Sequence, residues 1–197
     1  METENQLDQD FWNKRWENNQ TGWDIGMASP AITGYMETYP HKNAAILIPG
    51  CGNAHEASWL LQSGFTNITL IDIAPKAVEI LKKRYANQPA IKVIQGDFFG
   101  HQGQYDLLIE QTFFCAISPS LRPNYVAKAA SLLKGGGSIV GLLFNIDFER
   151  EGPPFGGQKT AYLSLFEKHF TIKKMEDCYN SIKPRANTEL FINLIKG

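Results

Sequence analysis

The 197-residue sequence predicts an α/β fold: one doubly wound, mostly parallel seven-stranded sheet with an antiparallel strand at its C-terminal end. Three observations predict it. From residue 44 onward, short apolar runs alternate with amphipathic segments of helix length. The first apolar run feeds straight into a glycine-containing turn and a helix, and the chain closes on two strand-like runs separated by a short polar segment.

The elements follow in order. FWNKRWENN places Trp12 and Trp16 four residues apart, on one face of a short amphipathic helix. Gln20 to Pro30 is rich in Gly, Asp and Ser and reads as a loop, after which Ser29 as N-cap and Pro30 at the first helical position open a helix to about Thr38. AAILIP is a buried strand, HEASWLLQSG a helix stopped by Gly64, ITLIDI a second strand, and PKAVEILKKRY a helix with Pro75 in its first turn. IKVIQ and YDLLIE are the next strands. The helix PNYVAKAASLLK is expected to close at Gly135, Gly136 and Gly137 before the strand SIVGLLF. A Gly/Pro loop (EGPPFGG), a helix near TAYLSLFEKHF, and the strands FTIKKMED and ELFINLIKG complete the chain. The last two strands are expected to form an antiparallel hairpin at the sheet edge. No repeat or linker interrupts the pattern, so residues 1–197 read as one domain.

Composition excludes several classes. With 43% hydrophobic and 12% aromatic residues the chain can bury a core. Nineteen basic residues balance twenty acidic ones, with no block of like charge, so no nucleic-acid partner is expected. The start, METENQLDQDFW, is polar and acidic where a secretory signal is basic then apolar, and apolar runs reach only strand length; a cytoplasmic protein with no membrane partner is expected. Cys51, Cys115 and Cys178 are widely spaced and read as free thiols. His41, His55, His101 and His169 show no metal spacing, and no metal is expected.

The sharpest motif is ILIPGCGNAHE, Ile46 to Glu56. Gly50 and Gly52 let the backbone approach a ligand, and the following helix offers free N–H groups. Asp72 lies 22 residues after Gly50 at the end of the next strand, where a carboxylate can accept both hydroxyls of a ribose. Asp97 and Phe98 at the third strand end suit an adenine, the carboxylate meeting the exocyclic amine and the ring covering the base. The ligand is therefore a nucleoside compound, either a dinucleotide or S-adenosylmethionine. Glu56, beside the turn, would repel a pyrophosphate but could meet an ammonium group. The fourth strand ends in Ile109-Glu110-Gln111-Thr112, followed by Phe113 and Phe114, and should border a second substrate. Glu110 and Asp147 are the acidic residues near this crevice that could serve as bases, while Cys115 reads as a small buried thiol.

With these motifs assembled, the chain resembles the thiopurine S-methyltransferase family of class I S-adenosylmethionine-dependent methyltransferases, especially its halide and thiol methyltransferase branch. The resemblance rests on FWNKRWENNQTGWDIGMASP, IPGCGNAHEA, LIDIAPKAV, QGDFF, DLLIEQTFFCAISPSLRPNY, LLKGGGSIVGLLF and EGPPFGG. It implies a Rossmann-like class I methyltransferase fold whose first 40 residues form a helical lid. It also implies that Trp12, Trp16 and Trp23 enclose the cofactor, Gly50 meets its methionine moiety, Asp72 its ribose, Asp97 and Phe98 its adenine, and that Gln111 touches it. Phe11, Phe113, Phe114, Phe144 and Phe155 are expected to line the acceptor pocket. Gln111 stands where relatives carry an aromatic or basic residue, and Phe144-Asn145 where halide-methylating relatives carry Tyr-Pro. The expected activity is methyl transfer from S-adenosyl-L-methionine, leaving S-adenosyl-L-homocysteine, to a small soft nucleophile: a thiol or sulfide first, then a thiopurine or halide. No catalytic residue is assigned, and the chain is expected to be a monomer or weak dimer. The alternatives are a small-molecule O- or N-methyltransferase, a non-catalytic nucleoside-binding protein, or an NAD-dependent oxidoreductase.

Overall fold

The computed structural model describes residues 7–197; the first six residues of the expected lid, with their acidic start, lie outside the described residues. The strands are β1 (Ile46–Pro49), β2 (Ile68–Asp72), β3 (Ile91–Gln95), β4 (Tyr105–Gln111), β5 (Leu133–Phe144), β6 (Phe170–Asp177) and β7 (Glu189–Lys196). The helices are α1 (Gln9–Glu17), α2 (Pro30–Glu37), α3 (His55–Gln62), α4 (Pro75–Arg84), α5 (Arg122–Leu132) and α6 (Lys159–Phe166). One seven-stranded sheet runs in the order β3-β2-β1-β4-β5-β7-β6, with β7 alone reversed. The order turns back between β1 and β4, which places a crevice at their carboxyl ends.

Period-two alternation assigns the two faces. Leu47, Leu108 and Ile139 point to the side covered by α5 and α6, packing with Tyr125 and Phe166. Ile46, Ile48, Leu107, Ile109 and Val140 point to the other, against Ile32 and Met36 of α2, Leu60 of α3 and Leu81 of α4. No described helix is long and apolar enough to cross a membrane.

The expected closing hairpin forms at the sheet edge, with β7 between β5 and β6 and β6 outermost. Burial explains the order: Leu190, Ile192 and Leu194 are fully buried and Asn193 nearly so, whereas Lys173, Lys174 and Glu176 of β6 face solvent and suit an unpaired edge. The glycine triplet 135–137 belongs to β5 and does not merely close α5. Its register slips between the pairs Tyr105–Leu133 and Leu107–Ser138, with Gly136 at φ +75°, so the triplet is a bulge.

A buried carboxylate organises the end of β4. Glu110 is 0% exposed; its Oε1 accepts from the backbone N–H of Phe113 and of Phe114, both at 2.8 Å, and its Oε2 from the Tyr125 hydroxyl at 2.7 Å. The next strand must be glycine at position 141, because a Cβ there would collide with the Glu110 carbonyl. The three bonds hold a tight turn in which Thr112, a β-branched residue, sits at φ +63°. Burial nonetheless pushes the Glu110 carboxyl up to about 7, against the pull of those donors. Between its ordinary value of 4.5 and about 7 the folded chain therefore holds a proton that the unfolded chain releases, so this group's contribution to stability falls as pH rises through that window. Gln at 110 can keep the same partners by reversing the Tyr125 bond and does not titrate. In denaturation curves taken from pH 4.5 to 7.5, Glu110→Gln should gain on the parent by up to about 1.4 kcal/mol per pH unit within the window. Parallel pH profiles for the two proteins would show that the carboxyl titrates alike in both states.

Candidate functional site

The turn after β1 is built from alternating left-handed residues: Gly50 at φ +52°, Gly52 at +51° and Ala54 at +50°. Two of the three are glycine, the residue for which this backbone carries no Cβ penalty. Asp72, at the end of neighbouring β2, fixes the turn from the side. Its Oδ2 accepts from Gly52 N–H at 3.0 Å and its Oδ1 from Ala74 N–H at 2.9 Å. Burial raises the Asp72 carboxyl while hydrogen bonds from Ala74, Gly52 and Ile73 pull it back, and the net shift is upward. The carboxylate keeps acceptor capacity beyond these backbone donors.

Above the turn lies a cleft lined by residues that include Trp23, Asp24, Gly50, Gly52, Glu56 and Gln111. Among the described residues Gln111 Oε1 is buried without a hydrogen-bond partner, which fits the amino or hydroxyl groups of a nucleoside–amino acid ligand. Glu56 is 6% exposed, raised by burial, and spends one oxygen on Ser29 N–H at 3.0 Å. That oxygen fastens α2 to α3.

Trp23 lines this cleft, and Trp12 and Trp16 pack against it. Trp12 and Trp23 pack edge-to-face at 5.6 Å and Trp16 and Trp23 at 6.2 Å, while Phe11 stands edge-on to Trp12 at 5.1 Å. A Cβ on Gly52 would lie 3.7 Å from Trp16 and 3.8 Å from the Trp23 indole nitrogen, so the rings rest directly on the turn. Asp24 Oδ1 meets His55 Nε2 at 2.8 Å and accepts from Gly26 N–H at 2.7 Å, and its Oδ2 accepts from the Asn53 amide. Arg185, which pairs with buried Glu189 at 3.3 Å and lies 5.4 Å over Phe144, donates to the Trp23 carbonyl at 2.9 Å.

The aromatic candidates divide. Phe113 covers Gly50 so closely that a Cβ there would collide with its ring, and Phe155 is held by a bond from its N–H to the Cys115 carbonyl at 2.7 Å. Arg122 supports the same loop through the Phe155 and Gly156 carbonyls. Phe11, Phe113, Phe144 and Phe155 are each half-buried and available to line a pocket. Phe114 is different: it is 1% exposed and packs among Tyr125, Tyr162 and Phe166, so it is a core residue and not a pocket wall. Phe98, expected over an adenine, is 3% exposed and stacks on Tyr125 at 5.4 Å, with no face free for a base. Its neighbour Asp97 is exposed and accepts from Phe99 N–H at 3.0 Å, which leaves its other oxygen free at the strand end. Neither acidic residue offered as a base serves: Glu110 is sealed, and Asp147 is exposed and bonded to Gln158.

Sequence reasoning passed over Asp24, Arg122 and Arg185. An Asp-x-Gly turn signal at 24–26 marks the first. Arg185 reaches a carbonyl 162 residues away, and nothing local announces that.

Comparison with known proteins places these features. The family model for thiopurine S-methyltransferase (TPMT) matches residues 7–193. A probable thiol methyltransferase 2 of Arabidopsis thaliana is 35% identical over 184 residues, covering 90% of this chain and 81% of that protein. A thiopurine S-methyltransferase of Pseudomonas paraeruginosa is 27% identical over 189 residues, covering 85% of each. In fold, the chain matches a Burkholderia thailandensis 1,6-didemethyltoxoflavin-N1-methyltransferase solved with S-adenosylhomocysteine, at a TM-score of 0.72 and 17% identity over 95% of this chain and 86% of that one. The glycine turn, the strand-end carboxylate and the tryptophan roof thus sit in a chain that belongs to the thiopurine S-methyltransferase family of S-adenosylmethionine-dependent methyltransferases.

Proposed function

We propose that this chain transfers a methyl group to a small thiol or hydrosulfide. The observation that carries the acceptor class is the state of the titratable groups lining the cleft: Asp24 and His55 are bonded to each other, Glu56 holds Ser29, and burial and the charges of Asp72 and Glu56 push the Cys51 thiol well above its ordinary value. The Asp24 and Glu56 carboxylates are each already engaged in holding the fold around the cleft, and the Cys51 thiol is held protonated. A thiol acceptor needs no base, because part of it is already thiolate near neutral pH.

S-adenosylmethionine, when bound, supplies a methyl group on a positively charged sulfur, open to in-line displacement. Asp72 would accept its ribose hydroxyls, the Gly50–Gly52 backbone would meet its methionine portion, and Gln111 Oε1 would accept from it. The faces of Trp12, Trp16 and Trp23 would favour its cationic centre by about 0.5–2 kcal/mol. The half-buried rings of Phe11, Phe113, Phe144 and Phe155 would exclude water around a soft acceptor. We read the chain further as a cytoplasmic monomer or weak dimer, residues 1–40 being its lid.

Two outcomes test this. S-adenosylhomocysteine should raise the melting temperature of the unaltered chain. Asp72→Asn, which keeps an oxygen for the turn but loses the charge, should weaken that binding at least about a hundredfold, since charge-assisted bonds to two hydroxyls are at stake. Unchanged affinity in a folded Asp72→Asn protein would move the ribose elsewhere. In kinetics over a series of thiols, the inflection of kcat/KM with pH should follow the acceptor's own pKa. An inflection fixed at one pH for every thiol would reveal a base on the protein.

A further inference from the structure

Helices α3 and α4 follow the two turns that Asp72 joins, and neither has a side-chain cap of its own. The N-cap of α3 is Ala54, in a left-handed conformation, and that of α4 is Ala74; neither can offer an acceptor to the free N–H groups of the first turn. The N-terminal segment reaches both ends, α4 through a backbone N–H and α3 through side chains. Asn13 Oδ1, on α1, accepts from the backbone N–H of Lys76 in the first turn of α4 at 2.9 Å. Asp24, in the loop after α1, sets its carboxylate against the side chains of Asn53 and of His55, the first residue of α3, where negative charge is favoured by the helix dipole. The Asn53 carbonyl in turn accepts from Arg84 at the far end of α4, so Asn13 and Asp24 grip the α3–α4 pair at both ends. Burial works to raise the Asp24 carboxyl, but the bonds from Gly26, Asn53 and His55 outweigh it and hold it below its ordinary value.

We propose that Asn13 and Asp24 are positioning residues through which the closed lid caps α4 and clamps the side chains at the start of α3, and so fixes the two turns flanking Asp72. Lid closure is then felt at the ligand carboxylate through helix ends that are incomplete without it. The opening of either contact loosens both the lid and the turn beneath it, which should speed the escape of a bound nucleoside ligand. This rests on the reading of the cleft as the S-adenosylmethionine site.

The test uses the full chain with S-adenosylhomocysteine as probe. Its dissociation rate is measured by displacement, and lid opening by trypsin cleavage after Lys14 and Arg15 of α1 in the liganded protein. Asn13→Ala and Asp24→Ala should each release the ligand about tenfold faster, the change expected for loss of one cap, and should expose those two peptide bonds. Asp24→Asn keeps an oxygen for Gly26 and His55 and should fall between parent and Asp24→Ala. Asp10→Ala, on the exposed side of α1, should match the parent in both assays. Asn13→Ala alters only an α1 surface residue and keeps the test open should Asp24→Ala fail to fold. Parent-like release and cleavage in folded Asn13→Ala and Asp24→Asn would overturn the capping role and leave the ligand reading intact. Failure of the unaltered chain to bind S-adenosylhomocysteine would overturn both.

Discussion

Asp72 is a charged group taken out of water and kept charged by backbone donors from two turns. With 8% exposure it bears a desolvation penalty that only hydrogen bonds can offset, and those bonds come from Gly52, inside the β1–α3 turn, and Ala74, at the start of α4. The left-handed geometry at Gly50, Gly52 and Ala54 is what aims the Gly52 N–H at that carboxylate. The small turn that results has room above it for the rings of Trp16 and Trp23. A single side chain thereby ties together the turn, the helix starts and the floor of the ligand site.

Glu110 performs the matching task on the other side of β1. The strands β2 and β4 both pair with β1, and each ends in a buried acidic side chain that holds a neighbouring turn by accepting two backbone N–H groups. They differ in access. Asp72, 8% exposed beneath the glycine turn, retains acceptor capacity, whereas Glu110, 0% exposed, is sealed beneath Phe113 and bonded to Tyr125. The same chemistry leaves spare acceptor capacity in one place and makes a closed scaffold in the other, and it is Glu110 that sets Phe113 over Gly50.

This difference marks the boundary of what is legible in the sequence. Strand and helix identities follow from periodicity, and the Gly50–Gly52 turn with Asp72 follows from spacing, because both are encoded within about twenty-five residues of chain. The place of β7 between β5 and β6 depends on comparing burial on both faces of two strands: ELFINLIK is apolar on each, FTIKKMED on one. Phe98 and Phe114 read like pocket residues because each adjoins a strand end, yet Tyr125 on the separate helix α5 draws both rings into the core. Asp24 and Arg185 act on partners with which they share no local pattern. Long-range placement, and not residue type, separates the residues that sequence identifies from those it does not.

The central claim is that the cleft delivers a methyl group to sulfur. Incubation of the chain with S-adenosylmethionine carrying an isotope-labelled methyl group and a small thiol, followed by mass spectrometry of the products, examines it directly. The account predicts labelled methyl thioether and S-adenosylhomocysteine in equal amounts, formed well above the rate without protein. Label appearing on oxygen or nitrogen of competing acceptors but not on the thiol, or no S-adenosylhomocysteine above background, would contradict it.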